Sequence, residues 1–170
     1  MQERLPVAPK SMSQVKTFTL EEARALVPKL RQLISDGNVE LEKLALKLEE
    51  NNARFETAEL NLAQARSAGD NEEEIKELRE LRLHFQDAIE LLSRTQQEYL
   101  ERLNHWVDLI NGTGVILRDL RTGLLDFPAR QGKFTYFLCW KLSDTELDYW
   151  HLQHDGFIGR RPLAVLQEYF

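Results

Sequence analysis

The chain has 170 residues, 42% of them hydrophobic and 29% charged, which suffices for one domain with a real core. No apolar run approaches the roughly 18 residues that span a bilayer, and the start lacks a signal-peptide pattern, so we expect neither a membrane protein nor a secreted one. The single cysteine, Cys139, excludes an internal disulfide framework and predicts a reducing, cytoplasmic location.

The formal net charge of −6 is unevenly distributed along the chain. Residues 67–111 carry five basic and eleven acidic groups, which accounts for the whole excess, whereas the flanking segments are balanced. Because this acidic stretch would repel a phosphate backbone, the sequence predicts no nucleic-acid partner.

The first predicted helix begins at Thr19, after a predicted flexible tail over residues 1–17. Thr19 and Glu22 have the spacing of a capping box, in which each side chain binds the backbone N–H of the other residue. Pro28 predicts a kink or a short separate first helix. The segment Ser35–Asn38 would ordinarily mark a turn, but the heptad phase is unbroken across it, which favours one continuous or bent helix.

A coiled-coil seam follows this start and predicts a long helix. Alternating steps of three and four residues select mostly apolar positions: Leu20, Ala23, Val27, Leu30, Ile34, Gly37, Leu41, Leu44, Leu48, Asn51, Phe55, Ala58, Leu62 and Ala65. Asn51 is a polar exception that either sets the register or occupies a half-exposed point.

Residues 67–71 predict the turn of a helical hairpin, with Asp70 or Asn71 as the next N-cap. The second helix carries its own apolar face and ends at residues 111–114, which contain two glycines. That face consists of Leu78, Leu81, Phe85, Ala88, Leu92, Thr95, Tyr99, Leu103, Trp106 and Ile110. Since a two-helix arm over residues 18–112 buries only one stripe per helix, we expect a homodimer through this arm.

Beyond Gly114 the pattern alternates as in strands, and residues 113–170 predict a small antiparallel β-meander of three to four strands packed on the base of the arm. The expected strands cover residues 115–119, 123–127, 134–140 and 146–152, with Pro128 ending the second. A short helix over residues 163–170 closes the chain. The fold class is therefore α+β.

Two aspartates on the first strand pair are candidate metal ligands. If Leu120 and Gly123 flank a two-residue turn, Leu117 pairs with Asp126, and Asp119 and Asp126 then share one face of the sheet. Two carboxylates there could bind a divalent metal ion or act as an acid and a base. Alternatively, both are solvated and lie near Arg118 or Arg121.

His151 is the third candidate metal ligand, and it begins an H-x-x-H pattern that ends at His154. On a helix this spacing could converge on a metal, but here it lies where a strand leaves for a loop, so the match is weak. A further ligand would have to be Asp126, Asp144, Asp155 or Cys139. Cys139 itself, inside an apolar strand, is interpreted as a core residue and not as a nucleophile.

The segment Gly156–Pro162 is a candidate anion site. Its glycines permit a backbone nest, and two adjacent guanidinium groups suit a phosphate or carboxylate. The candidate ligand-binding residues are Arg160, Arg161, Trp150 and Arg118. The alternative is that Arg160 forms a salt bridge with an aspartate such as Asp119 or Asp126.

Four blocks of the sequence together resemble one known family. They are F-T-L-E-E-A-R-A-L-V-P-K-L-R, L-R-D-L-R-T-G-L-L-D-F-P-A-R, the pair Cys139-Trp140, and Y-W-H…G-F-I-G-R-R-P. The family is an uncharacterised bacterial one, domain of unknown function 2203, and the similarity runs from about Phe18 to Leu163. It implies a small bacterial protein with no established activity.

The resemblance also carries a polar pattern onto this chain. That pattern falls on Asp119, Asp126, His151 and Arg160. The family has Gly-Glu-Pro where this chain has Ser143–Thr145, which puts a shared role of Asp144 in doubt, and His154 lies outside the pattern.

Two functions remain open from the sequence. The first is a non-enzymatic interaction or regulatory protein in which the dimeric arm binds a protein partner. The second is a metal- or anion-binding module, or a metal-dependent enzyme, with a divalent ion on the sheet. The sequence therefore leaves open whether the protein is an enzyme.

Overall fold

A computed structural model of the protein describes residues 16–65 and 71–169. Two long helices, α1 over Leu20–Ala65 and α2 over Glu72–Asn111, precede a five-stranded antiparallel sheet. This confirms the α+β class. Most of the tail predicted over residues 1–17 and of the turn predicted over residues 67–71 lies outside the described residues. No helix in the described ranges has the length and apolar character needed to cross a membrane.

The described residues divide into two compact units. The sheet unit comprises residues 16–35 and 107–169, and the helical unit comprises the described part of residues 36–106. The boundary that the sequence places between residues 112 and 113 stays a prediction about domain organisation.

The start of α1 is the predicted capping box. The Thr19 N–H donates to Glu22 Oε2 at 2.8 Å, and the Glu22 N–H donates to Thr19 Oγ1 at 3.1 Å. Two of the unpaired donors at the helix start are thereby satisfied. The helix then continues without interruption through Pro28 and through Ser35–Asn38. The continuous helix is confirmed, and a separate short first helix is wrong.

Contacts within the helical unit show that the two helices run antiparallel. Arg102 donates to Glu40 at 2.7 Å, Lys47 donates to Glu98 at 2.9 Å, and the rings of Phe55 and Phe85 stack at 5.6 Å. As the residue number rises along α1, the number of its partner on α2 falls. Every position of the two predicted apolar faces within the described residues is buried or half-buried. The seam is therefore confirmed, because its predicted positions face inward and are removed from water.

The sheet is a meander in the order β1-β2-β3-β4-β5, with all pairs antiparallel. The strands span Ile116–Asp119, Leu124–Gln131, Phe134–Trp140, Tyr149–Leu152 and Arg161–Pro162, in that order. The fourth strand is shorter than predicted, and a fifth is present. This β5 has only two residues and contains a proline, so no alternating pattern could reveal it.

Pro128 lies inside β2, and the prediction that it ends the strand is wrong. Its carbonyl accepts a 2.7 Å hydrogen bond from the Phe18 N–H, so this residue's backbone polar atoms face away from β3. The short β1 pairs with β2 only at Leu124–Asp126, so this edge is open at Pro128. A proline is tolerated there because its missing N–H is not required by the sheet.

The register of β1 against β2 also differs from the prediction. Asp119 pairs with Leu124 as expected, but Leu117 pairs with Leu125 and not with Asp126, because Arg118 is an extra residue between the two pairs. Such a bulge turns side chains away from their regular alternation. Asp119 is exposed and its Oδ1 accepts a hydrogen bond from the Thr122 N–H at 3.0 Å, which stabilises the β1–β2 turn.

One hydrophobic core holds the sheet unit together, and it contains one face of the sheet. From the sheet it takes alternate residues such as Leu125, Phe127, Leu138, Trp140 and Trp150. From the helices it takes inward positions near the start of α1 and at the end of α2, including Ala23, Val27, Leu30, Ile34 and Ile110. The alternation that directs these residues into the core directs their strand neighbours to the opposite face.

Candidate metal centre

Three polar side chains meet on the face of the sheet opposite this core. Asp126 on β2 pairs directly with Cys139 on β3, and His151 on β4 pairs with Phe137, two residues from Cys139 along β3. Asp126 and His151 therefore approach each other from two strands that do not pair directly. They meet above the central strand, where the small side chain of Cys139 leaves room.

The contact between Asp126 and His151 is a buried hydrogen bond. His151 Nε2 lies 3.0 Å from Asp126 Oδ1, and each residue is only 2% exposed. The other ring nitrogen, Nδ1, lies 2.9 Å from the backbone oxygen of Leu152 and donates to it. Asp126 Oδ2 accepts a 2.7 Å hydrogen bond from Nε of Arg118. The carboxylate is thus held at both oxygens.

Cys139 completes a cluster of three candidate ligands. One ligand atom from each of Asp126, Cys139 and His151 lies within 4.8 Å of the other two, and all three residues are buried. The thiol also contributes to the raised pKa of the imidazole. Nitrogen, sulfur and oxygen ligands of this kind are those that zinc accepts.

The contact between Asp126 and His151 shifts the pKa values of both groups. Burial opposes a charge on His151, but its hydrogen bonds to Asp126, Cys139 and Leu152 outweigh that cost and raise the pKa of the imidazole to about 10. Burial likewise opposes the carboxylate, yet the bonds from His151 and Arg118 hold the pKa of Asp126 below its ordinary value. Both shifts favour the imidazolium form of His151 and the carboxylate form of Asp126.

An open cavity of about 350 Å³ adjoins Asp126 and His151. The rest of its lining combines a guanidinium group, polar side chains and apolar groups: Arg118, Leu124, Gln153, His154, Gly156 and Phe157. A ligand in the cavity would therefore reach the buried pair directly.

The other predicted ligand-binding residues lie elsewhere. Arg160 bonds to the Asp144 carboxylate and, at 3.3 Å, to the backbone oxygen of Cys139, and it lies over the Tyr149 ring at 4.1 Å. The salt bridge that the sequence leads us to expect for Arg160 is present, but its partner is neither Asp119 nor Asp126. Arg160 therefore fixes its loop to the backbone of β3 behind the cluster.

Arg161 and Trp150 stabilise the last strand. Arg161 bonds to Asp155 at 2.7 Å and lies over the Trp150 ring at 5.4 Å. The Trp150 indole N–H donates to the Pro162 oxygen at 3.2 Å. Of the four residues predicted to bind a ligand, the cavity lining includes only Arg118.

Sequence reasoning assigned Cys139 to the core, although it lies on the polar face. Residues 134–140 are almost all apolar, so the sequence pattern does not distinguish the two faces of this central strand. The signal was the pairing of β3 with β4, which puts Cys139 opposite Tyr149 and on the face that His151 shares.

Comparison with known proteins identifies a family but no activity. Residues 16–163 match a family described as an uncharacterized conserved protein, DUF2203, which confirms the resemblance noted in the sequence. No curated protein and no solved structure shows a significant match to the chain.

Proposed function

Since the chain belongs to the DUF2203 family, whose description carries no activity, we propose from the side chains alone that this protein binds a divalent transition-metal ion. The ion is zinc, or another ion that prefers the same nitrogen, sulfur and oxygen ligands, and it is bound by Asp126, Cys139 and His151. The observation that carries the proposal is the approach of three buried ligand atoms to within 4.8 Å of one another beside a cavity.

The distances suit a metal site after small movements. Around zinc, with metal–ligand distances of about 2.0–2.3 Å, tetrahedral ligand atoms lie about 3.3–3.8 Å apart. The Asp126 and His151 atoms are already 3.0 Å apart, and rotations that move an atom by about 1 Å bring the third into range. Metal binding would displace the proton shared by Nε2 and Oδ1, and both atoms would then hold the ion.

The surroundings supply the outer contacts that metal ligands usually have. The bond from Nδ1 of His151 to Leu152 leaves Nε2 as the nitrogen that binds metal. Arg118 orients the Asp126 carboxylate through Oδ2 and leaves Oδ1 for the ion. Three protein ligands with an open side toward a cavity resemble catalytic zinc sites more than closed structural ones. We further propose a reducing compartment such as the cytoplasm, because the Cys139 thiol must stay reduced.

The test is a titration of the purified protein with Co²⁺ and Zn²⁺. We expect one ion per chain, with a thiolate-to-cobalt charge-transfer band in the near ultraviolet. Cys139→Ser should abolish that band, and His151→Gln should weaken binding by at least tenfold, as loss of a ligand does. Circular dichroism checks that each variant is folded.

His84→Gln is the matched control, because His84 is an exposed histidine of the helical unit. It should bind like the wild type. Absence of the charge-transfer band in the wild type would refute the proposal. So would unchanged binding in both the Cys139 and His151 variants.

As a second function, we propose that the helical arm associates with a second copy of the chain. Its support is an exposed apolar stripe on α1 formed by Val39, Leu46, Ala53 and Leu60, at intervals of seven residues. Val39 is 53% exposed, and Leu46 and Leu60 are each 62% exposed. Seven-residue spacing keeps side chains on one side of a helix, as a helix–helix interface requires.

Light scattering after size-exclusion chromatography tests this second proposal. A dimeric wild type should become monomeric when Leu46→Glu and Leu60→Glu are combined. Leu100→Glu is the control, because Leu100 is an equally exposed leucine of α2 outside the stripe. A monomeric wild type at all concentrations would exclude the dimer, and equal loss in the control would exclude the stripe as its interface.

A further inference from the structure

We propose that the cavity beside Asp126 and His151 binds a small molecule through an oxyanion group, a carboxylate or a phosphate, held by the guanidinium group of Arg118 and by the metal ion. The inference rests on the proposed metal centre for the second of these contacts. It assigns Arg118 a role in binding a ligand in addition to its contact with Asp126.

Arg118 is only partly used by its protein contacts. Its Nε donates to Asp126, and its guanidinium carbon lies 5.6 Å from the centre of the Phe137 ring. Its two terminal nitrogens make no hydrogen bond to any residue in the described ranges. The side chain is 47% exposed and lines the cavity. Its Nε is held by Asp126, and its two terminal nitrogens can together donate two hydrogen bonds to an oxyanion.

The lining of the cavity carries little negative charge. Among the described residues of its lining, Asp126 is the only carboxylate, and in the metal-free protein both of its oxygens accept hydrogen bonds, one from His151 and one from Arg118. Gln153 and His154 add polar side chains, and Gly156 adds exposed backbone. With the divalent ion bound, the ion and Arg118 together carry more positive charge than the Asp126 carboxylate and the Cys139 thiolate carry negative charge, so an anion is favoured over a further cation.

Size and apolar surface narrow the ligand further. About 350 Å³ is at the lower end of the range for small-molecule sites. Leu124 and Phe157 provide apolar walls. The ligand expected is therefore a small organic acid or phosphate ester with a short apolar part, bound with one oxygen on the metal and another on Arg118.

The experiment uses the full chain saturated with Co²⁺, with acetate and inorganic phosphate as probes. An anion that enters the metal's open position changes the visible cobalt spectrum, so each titration yields an apparent dissociation constant. We expect saturable binding of at least one probe, and the stronger one identifies the carboxylate or phosphate class. Arg118→Gln should weaken that binding about 10- to 100-fold.

Arg121→Gln is the matched control, because it removes the same charge from the exposed β1–β2 turn and Arg121 does not line the cavity. All variants are compared at saturating Co²⁺, so a changed metal affinity does not enter the comparison. If the cobalt band is present but neither probe alters the spectrum, or if both arginine variants respond alike, the inference is wrong while the metal centre stands.

The same titrations on metal-free protein separate the two failures. If no cobalt band forms, the proposed metal centre is wrong. The amide NMR signals of His154 and Gly156 in the metal-free protein then show whether the cavity binds an anion. Anion-dependent shifts of these signals that disappear in Arg118→Gln would support the anion site. No shift in the wild type would overturn it.

Discussion

The two units of this protein each bury a polar pair, but the pairs differ in charge and surroundings. In the helical unit Asn51 Nδ2 donates to Thr95 Oγ1 at 2.8 Å, and Thr95 in turn donates to the Leu91 oxygen at 2.8 Å. In the sheet unit the partners are the charged groups of Asp126 and His151, 3.0 Å apart and beside a cavity. The first pair is neutral and lies among apolar seam residues.

This difference indicates different reasons for retaining polar groups. A neutral pair at a seam position disfavours other alignments of the two helices, at some cost in stability. A buried ion pair is weak evidence for stability, because apolar side chains of similar volume often serve as well. The extra cost of burying charge is easier to understand where the charges also bind a ligand, which is why the sheet unit is the proposed site.

The largest expected effect comes from removing one member of the charged pair. Asp126→Ala leaves the imidazolium of His151 buried without its partner, which should lower the free energy of unfolding by about 3–5 kcal/mol. Urea denaturation followed by circular dichroism measures this, with a chelator present. The double variant Asp126→Leu with His151→Phe should be more stable than Asp126→Leu alone. A double variant as unstable as the single one would show that the cost is lost shape and not lost charge pairing.

The next effect is a loss of stability between about pH 6.5 and pH 10 that the charged pair should produce. The pKa of His151 is raised to about 10, from about 6.5 in an unfolded chain. Its contribution is therefore complete below about pH 6.5 and is lost as pH rises to about 10. The pKa of Asp126 is lowered, so its contribution is lost on the acid side, below about pH 4. Urea denaturation of the metal-free protein from pH 5 to 10 should show the alkaline loss, and His151→Gln should remove it.

The smallest effect is expected in the helical unit. Replacing both partners, Asn51→Leu with Thr95→Val, should raise the free energy of unfolding by about 1 kcal/mol, because the apolar surface that they bury is worth more than one neutral hydrogen bond. The specificity of the alignment should fall, which broader amide NMR signals from both helices would reveal. A loss of stability in this double variant would mean that the neutral pair contributes more than packing.

The sequence predicts the two units unequally. Along the two helices, burial repeats at regular intervals of one chain segment, so the seam and the capping box at Thr19 could be predicted directly from the sequence. In the sheet unit, the site depends on how strands align. One extra residue at Arg118 shifts the register of β1, and Asp119 binds the β1–β2 turn and does not join Asp126. An apolar central strand concealed the polar side of Cys139. Such alignments follow from three-dimensional pairing, which a single sequence does not specify.

The hydrogen bond from Phe18 to Pro128 has a consequence for association between chains. Beyond Asp126 the edge of β2 is not covered by β1, and an open strand edge is a template on which strands of other molecules can add. Here Pro128 offers no donor, and its carbonyl is already taken by the Phe18 N–H. The segment around Phe18 thus covers this part of the sheet edge and hinders the addition of a strand from another molecule. A chain shortened to begin at Leu20 would lose this protection and become more prone to aggregate.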